Sequence, residues 1–537
     1  MTADGRGPSL SLAAREWARI VGPEFVQTDA VDCAAPQTAT YPTRERVLAI
    51  VRPGNREEVQ ACVRVANRFG VPLYPVSSGK NWGYGSRVPS QDESALLDLG
   101  RLDRILELDE DLAYVVVEPG VTQRMLYAHL QEHTQGRLWI DATSSSFDCS
   151  IIGNMQERGH GVTMYCDHAA TAVDLEVVLA NGDCIHTGYG AFEGASTRAL
   201  DAWGLGPSLH GLFSQSNLGI VTRATIWLMR APEQAEVAFF TVDTDDAFEA
   251  LVDELRSLRL DRILKSGPFI SNVYQSLQKV MTYPWSAVGG ATPLPLSIAL
   301  ELAKEHRYSL WNGSIGLYGT REEVAQQKDR LGRALAGKAS WSAFVDKDLR
   351  DLEQAFPRSR HREVRSVITG FTGGVGGTGL PAAYWRIGGT SAQLSDMDLD
   401  RDQCGFKFWT ATTPFRGKDA RRAAALAEEI ILRHGFEPSI GIFPVRERAL
   451  QFHISCAYDR KVESDDNAIL ACHAELGSSL MGLGHYPTRL GIGCMGALNR
   501  LERPYQQLLR TLKETLDPHG ILAPGRYTVS GDRGGED

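Results

Sequence analysis

Positive charge is not in excess in this sequence: 56 Lys and Arg stand against 66 Asp and Glu, for a net charge of −10. Phosphate backbones and anionic lipid surfaces recruit basic patches, so neither nucleic acid nor a membrane is an expected partner. No apolar run reaches transmembrane length. The opening residues Met1-Thr2-Ala3-Asp4-Gly5 carry neither the basic nor the apolar region of a secretory signal, which points to the cytoplasm. The nine cysteines (33, 62, 149, 166, 184, 404, 456, 472 and 494) are odd in number and never form a C-x-x-C pair. That excludes a zinc ribbon and favours reduced thiols over a disulfide frame. Internal repeats and heptad arrays are also missing. What remains, 537 residues with 43% hydrophobic and 23% charged, is a globular chain too long for one core.

The first ordered block reads strand, helix, strand. Residues 47–51 form a short β-branched run, and Val59, Cys62, Val63 and Ala66 recur on one helical face. Gly70 closes that helix, residues 71–76 return as a strand, and the unit has the length of a parallel crossover. It runs into Ser77-Ser78-Gly79-Lys80-Asn81-Trp82-Gly83-Tyr84-Gly85, a glycine-rich turn of the kind that exposes backbone N–H groups to a ligand. Strand-like runs follow at 113–118, 175–179 and 220–229. Beyond Pro232 helical stretches (245–258, 419–434) alternate with runs such as 449–457, the texture of a second, α+β unit. The last eight residues, 530–537, are polar and expected to be disordered.

Several familiar signatures fail. A P-loop would need glycine where Tyr74 stands and a hydroxyl residue where Asn81 stands. The G-x-G-x-x-G at 374–379 is followed at once by Pro381, which argues for a flexible loop and not for a dinucleotide fold. His129-Leu130-Gln131-Glu132-His133 has inverted zinc-protease spacing on what reads as an ordinary amphipathic helix, and no metal is expected.

The segment P-V-S-S-G-K-N-W-G-Y-G at 75–85 closely resembles the phosphate-binding loop of the vanillyl-alcohol oxidase and p-cresol methylhydroxylase family of flavoproteins. The resemblance continues in order through E-P-G-V-T (118–122), G-N-M-Q-E-R-G-H-G (153–161), D-H (167–168), L-E-V-V-L-A-N-G (175–182), F-S-Q-S-N-L-G-I-V-T (213–222) and D-P-H-G-I-L-A-P-G (517–525). Collinear blocks of this kind are far more specific than any one glycine loop. The resemblance implies an α+β, two-domain flavoprotein in which a discontinuous FAD-binding domain (1–232 and 489–537) encloses a cap with an antiparallel sheet (233–488). It also implies that the backbone amides of Ser77, Ser78, Gly79, Lys80 and Asn81 cradle the FAD pyrophosphate. Gly153, Asn154, Arg158 and Gly161 would line the cofactor's path, and Ile220, Val221 and Thr222 the adenine side.

By the same resemblance, the substrate is a phenol or benzylic alcohol held between two tyrosines and an arginine, with a hydride passing to flavin N5. Tyr84 and Tyr486 match the tyrosines. The sequence departs from the pattern at four places. The arginine expected after Tyr486 is Pro487, leaving Arg489 to face the same side if the segment is extended. The acid expected near the flavin falls at Ser144, with Asp148 as a replacement if the loop bulges. The paired cap histidines are Ala449-Leu450. No histidine stands at 403–406 to carry the flavin, so Cys149, in a C-x-x-x-G spacing, and more weakly Cys404 are the candidates for covalent attachment. Asp148, Asp141 and His485 are the candidate bases. An alternative within enzymes is a berberine-bridge-like oxidase of a complex natural product; outside them, a degenerate flavin-binding subunit. Oxygen or an electron carrier is the expected acceptor, and a homodimer is left open.

Overall fold

The computed structural model describes residues 8–377, 379–388 and 393–529; the opening pentapeptide, Thr378 and the 530–537 tail lie outside them. The crossover helix runs Arg56–Phe69, with the Asn55 side chain accepting from the Glu58 N–H at its start and Gly70 at φ 63° at its end. Its strands, Val47–Val51 and Leu73–Val76, are parallel but do not touch: Ser94–Asp98 pairs with both and lies between them. The second strand therefore begins two residues later than the apolar run that marks it.

The chain's end closes the same sheet. Leu73 N–H donates to the Ile521 carbonyl at 2.8 Å, and Ala523 N–H to the Leu73 carbonyl at 2.8 Å. Asp517 shapes this return by accepting from the N–H groups of Ile521 (3.0 Å) and Leu522 (2.8 Å) and from Lys513 Nζ (2.6 Å). The D-P-H-G block is thus a side-chain-capped turn that delivers the C-terminus to the strand bearing the glycine loop. Beside this sheet stands a five-stranded antiparallel one, ordered Ile105–Asp109, Tyr114–Val117, Ile220–Trp227, Ala172–Val178, Cys184–His186.

Residues 234–459 supply a seven-stranded antiparallel sheet, ordered Trp341–Asp346, Gln234–Val242, Trp311–Gly319, Phe269–Asn272, Ser439–Arg446, Ala449–Asp459, Cys404–Pro414. Alternation along its strands separates two faces. One face, with Ile270, Ile315, Ile440, Ile442, Phe452 and Ile454, joins a core with the helices Asp245–Leu260, Gly417–Arg433 and Glu463–Gly482. The other face carries Asn312, Ser271, Gly441, His453 and Thr410 in register across five strands. A polar row inside a sheet costs free energy unless something polar meets it. Among the described residues no helix is long and apolar enough to cross a membrane.

Candidate active site

The strand Leu73–Val76 ends where the glycine turn begins. Gly79 (φ 68°) and Gly83 (φ 78°) are left-handed, and a Cβ at Gly83 would lie 2.7 Å from the Phe408 ring. Among the described residues, nothing accepts from the backbone N–H groups of Ser77, Ser78, Gly79, Lys80 and Asn81. Consecutive unpaired amides on a cavity wall are a donor set suited to an anion. Ser78 Oγ accepts from the Ser150 N–H at 3.0 Å, and Ser150 Oγ caps the next helix by accepting from the Gly153 N–H at 2.9 Å. A Cβ at Gly153 would stand 2.5 Å from Ser77 Oγ, so this glycine permits the close approach of helix and turn. The turn is also pinned to the cap: Lys80 pairs with Asp398, and Asp400 accepts from Trp82 Nε1 (3.0 Å) and Ser86 Oγ (2.7 Å). Burial pushes the Asp400 carboxyl up to about 6, against those two hydrogen bonds.

The turn opens onto a continuous cavity of about 430 Å³ that runs under the polar face of the cap sheet. Residues 77–81, Gly153, Asn154, Arg158, Gly161, Ile220, Val221 and Cys149 all line it. Thr222 does not: it is buried in the sheet, donating from its hydroxyl to Glu176 Oε1 at 2.8 Å. Glu157 accepts from Arg526 Nη2 (2.6 Å) and the Tyr527 hydroxyl (2.7 Å), with Arg489 Nε 3.5 Å away. Burial alone would raise the Glu157 carboxyl, but Arg526 and then Arg489 hold it below its ordinary value. Two guanidinium groups against one carboxylate leave a net positive charge beside the cavity. The open amides and this charge suit a cofactor with a pyrophosphate, so the residues fit FAD.

Tyr84 is brought to the cavity together with Arg489. Its ring stacks on Phe408 at 5.5 Å and 6°, and the Arg489 guanidinium carbon sits 4.4 Å from its centroid. Arg489 Nη2 also donates to Asn81 Oδ1 at 2.5 Å, tying this pair to the glycine turn. Burial pushes the Tyr84 phenol up to about 12, against Arg489 and Thr410, so it is a neutral donor at physiological pH.

Other expected residues are placed elsewhere. Tyr486 is 49% exposed and outside the cavity lining; its carbonyl is held by the Thr412 N–H at 2.9 Å. Asp148 pairs with Arg124 at 2.9 Å at the surface. Asp141 is buried away from the main cavity, accepting from His168 Nε2 (2.8 Å) and the Thr163 N–H (2.8 Å). His485 is buried but does not line the cavity. Cys404 is shut into an apolar cluster around Trp385. The glycine stretch at 374–379 is more than a loose loop, because Gly376, Gly377 and Gly379 line the cavity.

Two histidines that the sequence reading missed do face it. His160 Nε2 and His453 Nε2 are 2.8 Å apart, while His160 Nδ1 lies 3.1 Å from the Gly161 carbonyl. A carbonyl only accepts, so His160 carries its proton on Nδ1 and His453 donates to His160 Nε2. Burial pushes both rings below their ordinary value, His453 well below, so the pair is neutral. His453 was legible only as one of three polar residues, with Gln451 and Ser455, alternating along an apolar strand.

Comparison with known proteins comes to the same fold. The FAD binding domain family matches residues 47–188. The chain is 37% identical to the 1'-carboxy-chondrochloren decarboxylase of Chondromyces crocatus over 96% of this chain and 97% of that protein. It is 29% identical to the 4-cresol dehydrogenase [hydroxylating] flavoprotein subunit of Pseudomonas putida, over 88% and 86%. Among solved structures, 4-ethylphenol oxidase from Gulosibacter chungangensis aligns at a TM-score of 0.88 and 26% identity, covering 99% of this chain and 100% of that one. Substrate-bound p-cresol methylhydroxylase aligns at 0.89 and 24% identity, covering 98% of each.

Proposed function

Because the chain belongs to the vanillyl-alcohol oxidase and p-cresol methylhydroxylase family of FAD-dependent oxidoreductases, we propose that it oxidises a phenol-type aromatic compound at the benzylic carbon of the substituent para to the phenol hydroxyl. The single observation carrying this reading is Tyr84, a neutral buried donor under the Arg489 guanidinium on the cavity wall. A donor and a fixed positive charge stabilise a phenolate as its negative charge develops. Bound FAD would supply the hydride acceptor at its N5. His453 Nδ1, which has no hydrogen-bond partner among the described residues, would accept the hydrogen bond of a substrate hydroxyl, in place of Asp148, Asp141 and His485, the bases expected from the sequence.

One observation favours a second form of the same oxidation. Among the described residues the carboxylates lining the cavity, Glu157 and Glu363, are both committed to arginines, so neither is available to activate water. A 3-arylpropanoate losing a benzylic hydride and CO2 would give an alkene without water, and loss of CO2 is the reaction for which the Chondromyces relative, a decarboxylase, is named. Anaerobic mixing of the holoenzyme with 4-alkylphenols and 3-(4-hydroxyphenyl)propanoates tests both forms. Flavin bleaching with an alcohol, aldehyde or ketone product supports the first, and bleaching with alkene and CO2 the second. Should no phenol bleach the flavin, the reading is wrong.

A further inference from the structure

The cations that line the cavity can be assigned partners one by one. Lys80 pairs with Asp398, while Arg489 and Arg526 share Glu157. Arg360 pairs with Glu363 at 3.3 Å, both side chains almost wholly enclosed. Arg158, on the glycine-turn side, reaches Ser214 Oγ at 3.4 Å. Lys279 differs. Among the described residues it has no ion pair or side-chain hydrogen bond, and its Nζ contact is the Phe269 ring, 4.8 Å to the centroid.

Local structure leaves it there deliberately exposed to the cavity. The helix Val273–Gln278 is buried along its whole length, and Lys279 forms its C-cap, where a cation faces the helix's negative end. Nearby on the lining are Gln275 and Ser439, whose side-chain carbonyl and hydroxyl are buried without a hydrogen-bond partner. Buried polar groups are nearly always satisfied, by protein, water or ligand. Burial pulls the Lys279 amine down to about 8, with Glu363 acting against it and Arg360 with it. The amine is therefore still mostly charged at neutral pH, and among the described residues no carboxylate forms an ion pair with it.

We propose that Lys279 binds a carboxylate borne by the substrate on the side away from its phenol, a group retained through the reaction. The inference rests on reading the cavity as the substrate site. Around Lys279 the charges of Arg360 and Glu363 cancel, and the one net positive charge left there matches a monoanion and not a phosphate ester. Phe269, against which Lys279 lies, is on the strand two positions from the one bearing His453. Two strand spacings are roughly 10 Å, so the substrate is elongated, an aromatic head joined to an acid by a chain of several carbons. A plain alkylphenol would leave the lysine unpaired in an enclosed wall, at a cost in free energy.

The test uses holoenzyme and ω-(4-hydroxyphenyl)alkanoic acids with side chains of three to eight carbons, each beside its methyl ester. Dissociation constants come from flavin absorbance changes or calorimetry, and reduction rates from anaerobic mixing. The acid of fitting length is expected to bind at least about tenfold more tightly than its ester. Lys279→Met should bring that ratio toward one, and Lys279→Arg should keep most of it. Equal binding of acid and ester at every length overturns the proposal, as does a ratio unmoved by Lys279→Met. Lys279-dependent acid binding without flavin reduction would uphold the subsite and overturn phenol oxidation. Reduction by all members with no acid preference would do the reverse.

Discussion

The guanidinium carbon of Arg489 lies 4.4 Å from the centroid of the Tyr84 ring, far across the sequence, and Arg489 reaches on to Asn81 in the glycine turn. Arg489 stands two residues beyond Pro487, where the arginine expected after Tyr486 is missing, and it lines the cavity. In an extended segment neighbouring side chains take opposite sides, so Tyr486 and Arg489 need not share a face. Only Arg489 meets the cavity.

That geometry separates the two tyrosines. Tyr84→Phe is expected to slow flavin reduction by a phenolic substrate on the order of a hundredfold or more while FAD stays bound. Tyr486→Phe, at a half-exposed position, should leave the rate within about twofold, as surface substitutions usually do. Stopped-flow reduction of both variants checks the contrast, and equal losses would remove Tyr84 from its assigned role.

Cys149 lines the cavity, but burial pushes its thiol up to about 11, with Arg489 opposing. Nucleophilic attack needs thiolate, so no thioether to the flavin is expected. Cys404 is equally unsuited, its thiol pushed up to about 12 by burial among apolar side chains. Acid-denatured protein should release all its flavin, and the chain should weigh what its sequence dictates; a mass increment of one FAD refutes this.

Among the described residues Glu157 is the single counter-charge for Arg526 and Arg489, and it also accepts from Tyr527. Glu157→Gln should therefore destabilise the protein at pH 7 by on the order of 3 kcal/mol, because it strands buried guanidinium charge. The carboxyl is held below its ordinary 4.5. Its stabilisation is then fully present above that value and fades as pH falls through the lower folded value. Melting temperatures of wild type and variant should differ by a constant amount above about pH 5 and converge in more acid solution.

Lys407 is buried with its Nζ 3.4 Å from the Tyr41 ring centroid. Burial lowers its amine from 10.5 to about 8, with Cys494 acting the other way. In that interval the unfolded chain holds more protons than the folded one, so wild-type stability rises with pH from about 8 to 10.5. The burden is greatest below pH 8. Lys407→Met should stabilise the protein at pH 7 by about 2 kcal/mol, and the gain should shrink toward pH 10.5. Denaturant titrations at three pH values decide it, a pH-independent gap being the contrary result.

The sequence by itself determined the scaffold, because the features that define it are local. Left-handed glycines at 79 and 83, the Asn55 and Ser150 caps, and the Asp517 turn each act within a few residues, so their chemistry is written in the order of residues. The unpaired amides of the glycine turn follow from the same local geometry. What only the tertiary structure decided is which side chains meet in the cavity. Alternation along residues 449–457 shows that Gln451, His453 and Ser455 share a face, but not that this face turns toward His160 instead of the helical core. That depends on how the seven-stranded sheet packs against the glycine turn, a contact 293 residues apart in the His160–His453 pair. The same packing leaves Tyr486 half-exposed and Lys279 on the cavity wall without an ion pair among the described residues, since burial and charge pairing are properties of the packed surfaces and not of any one segment.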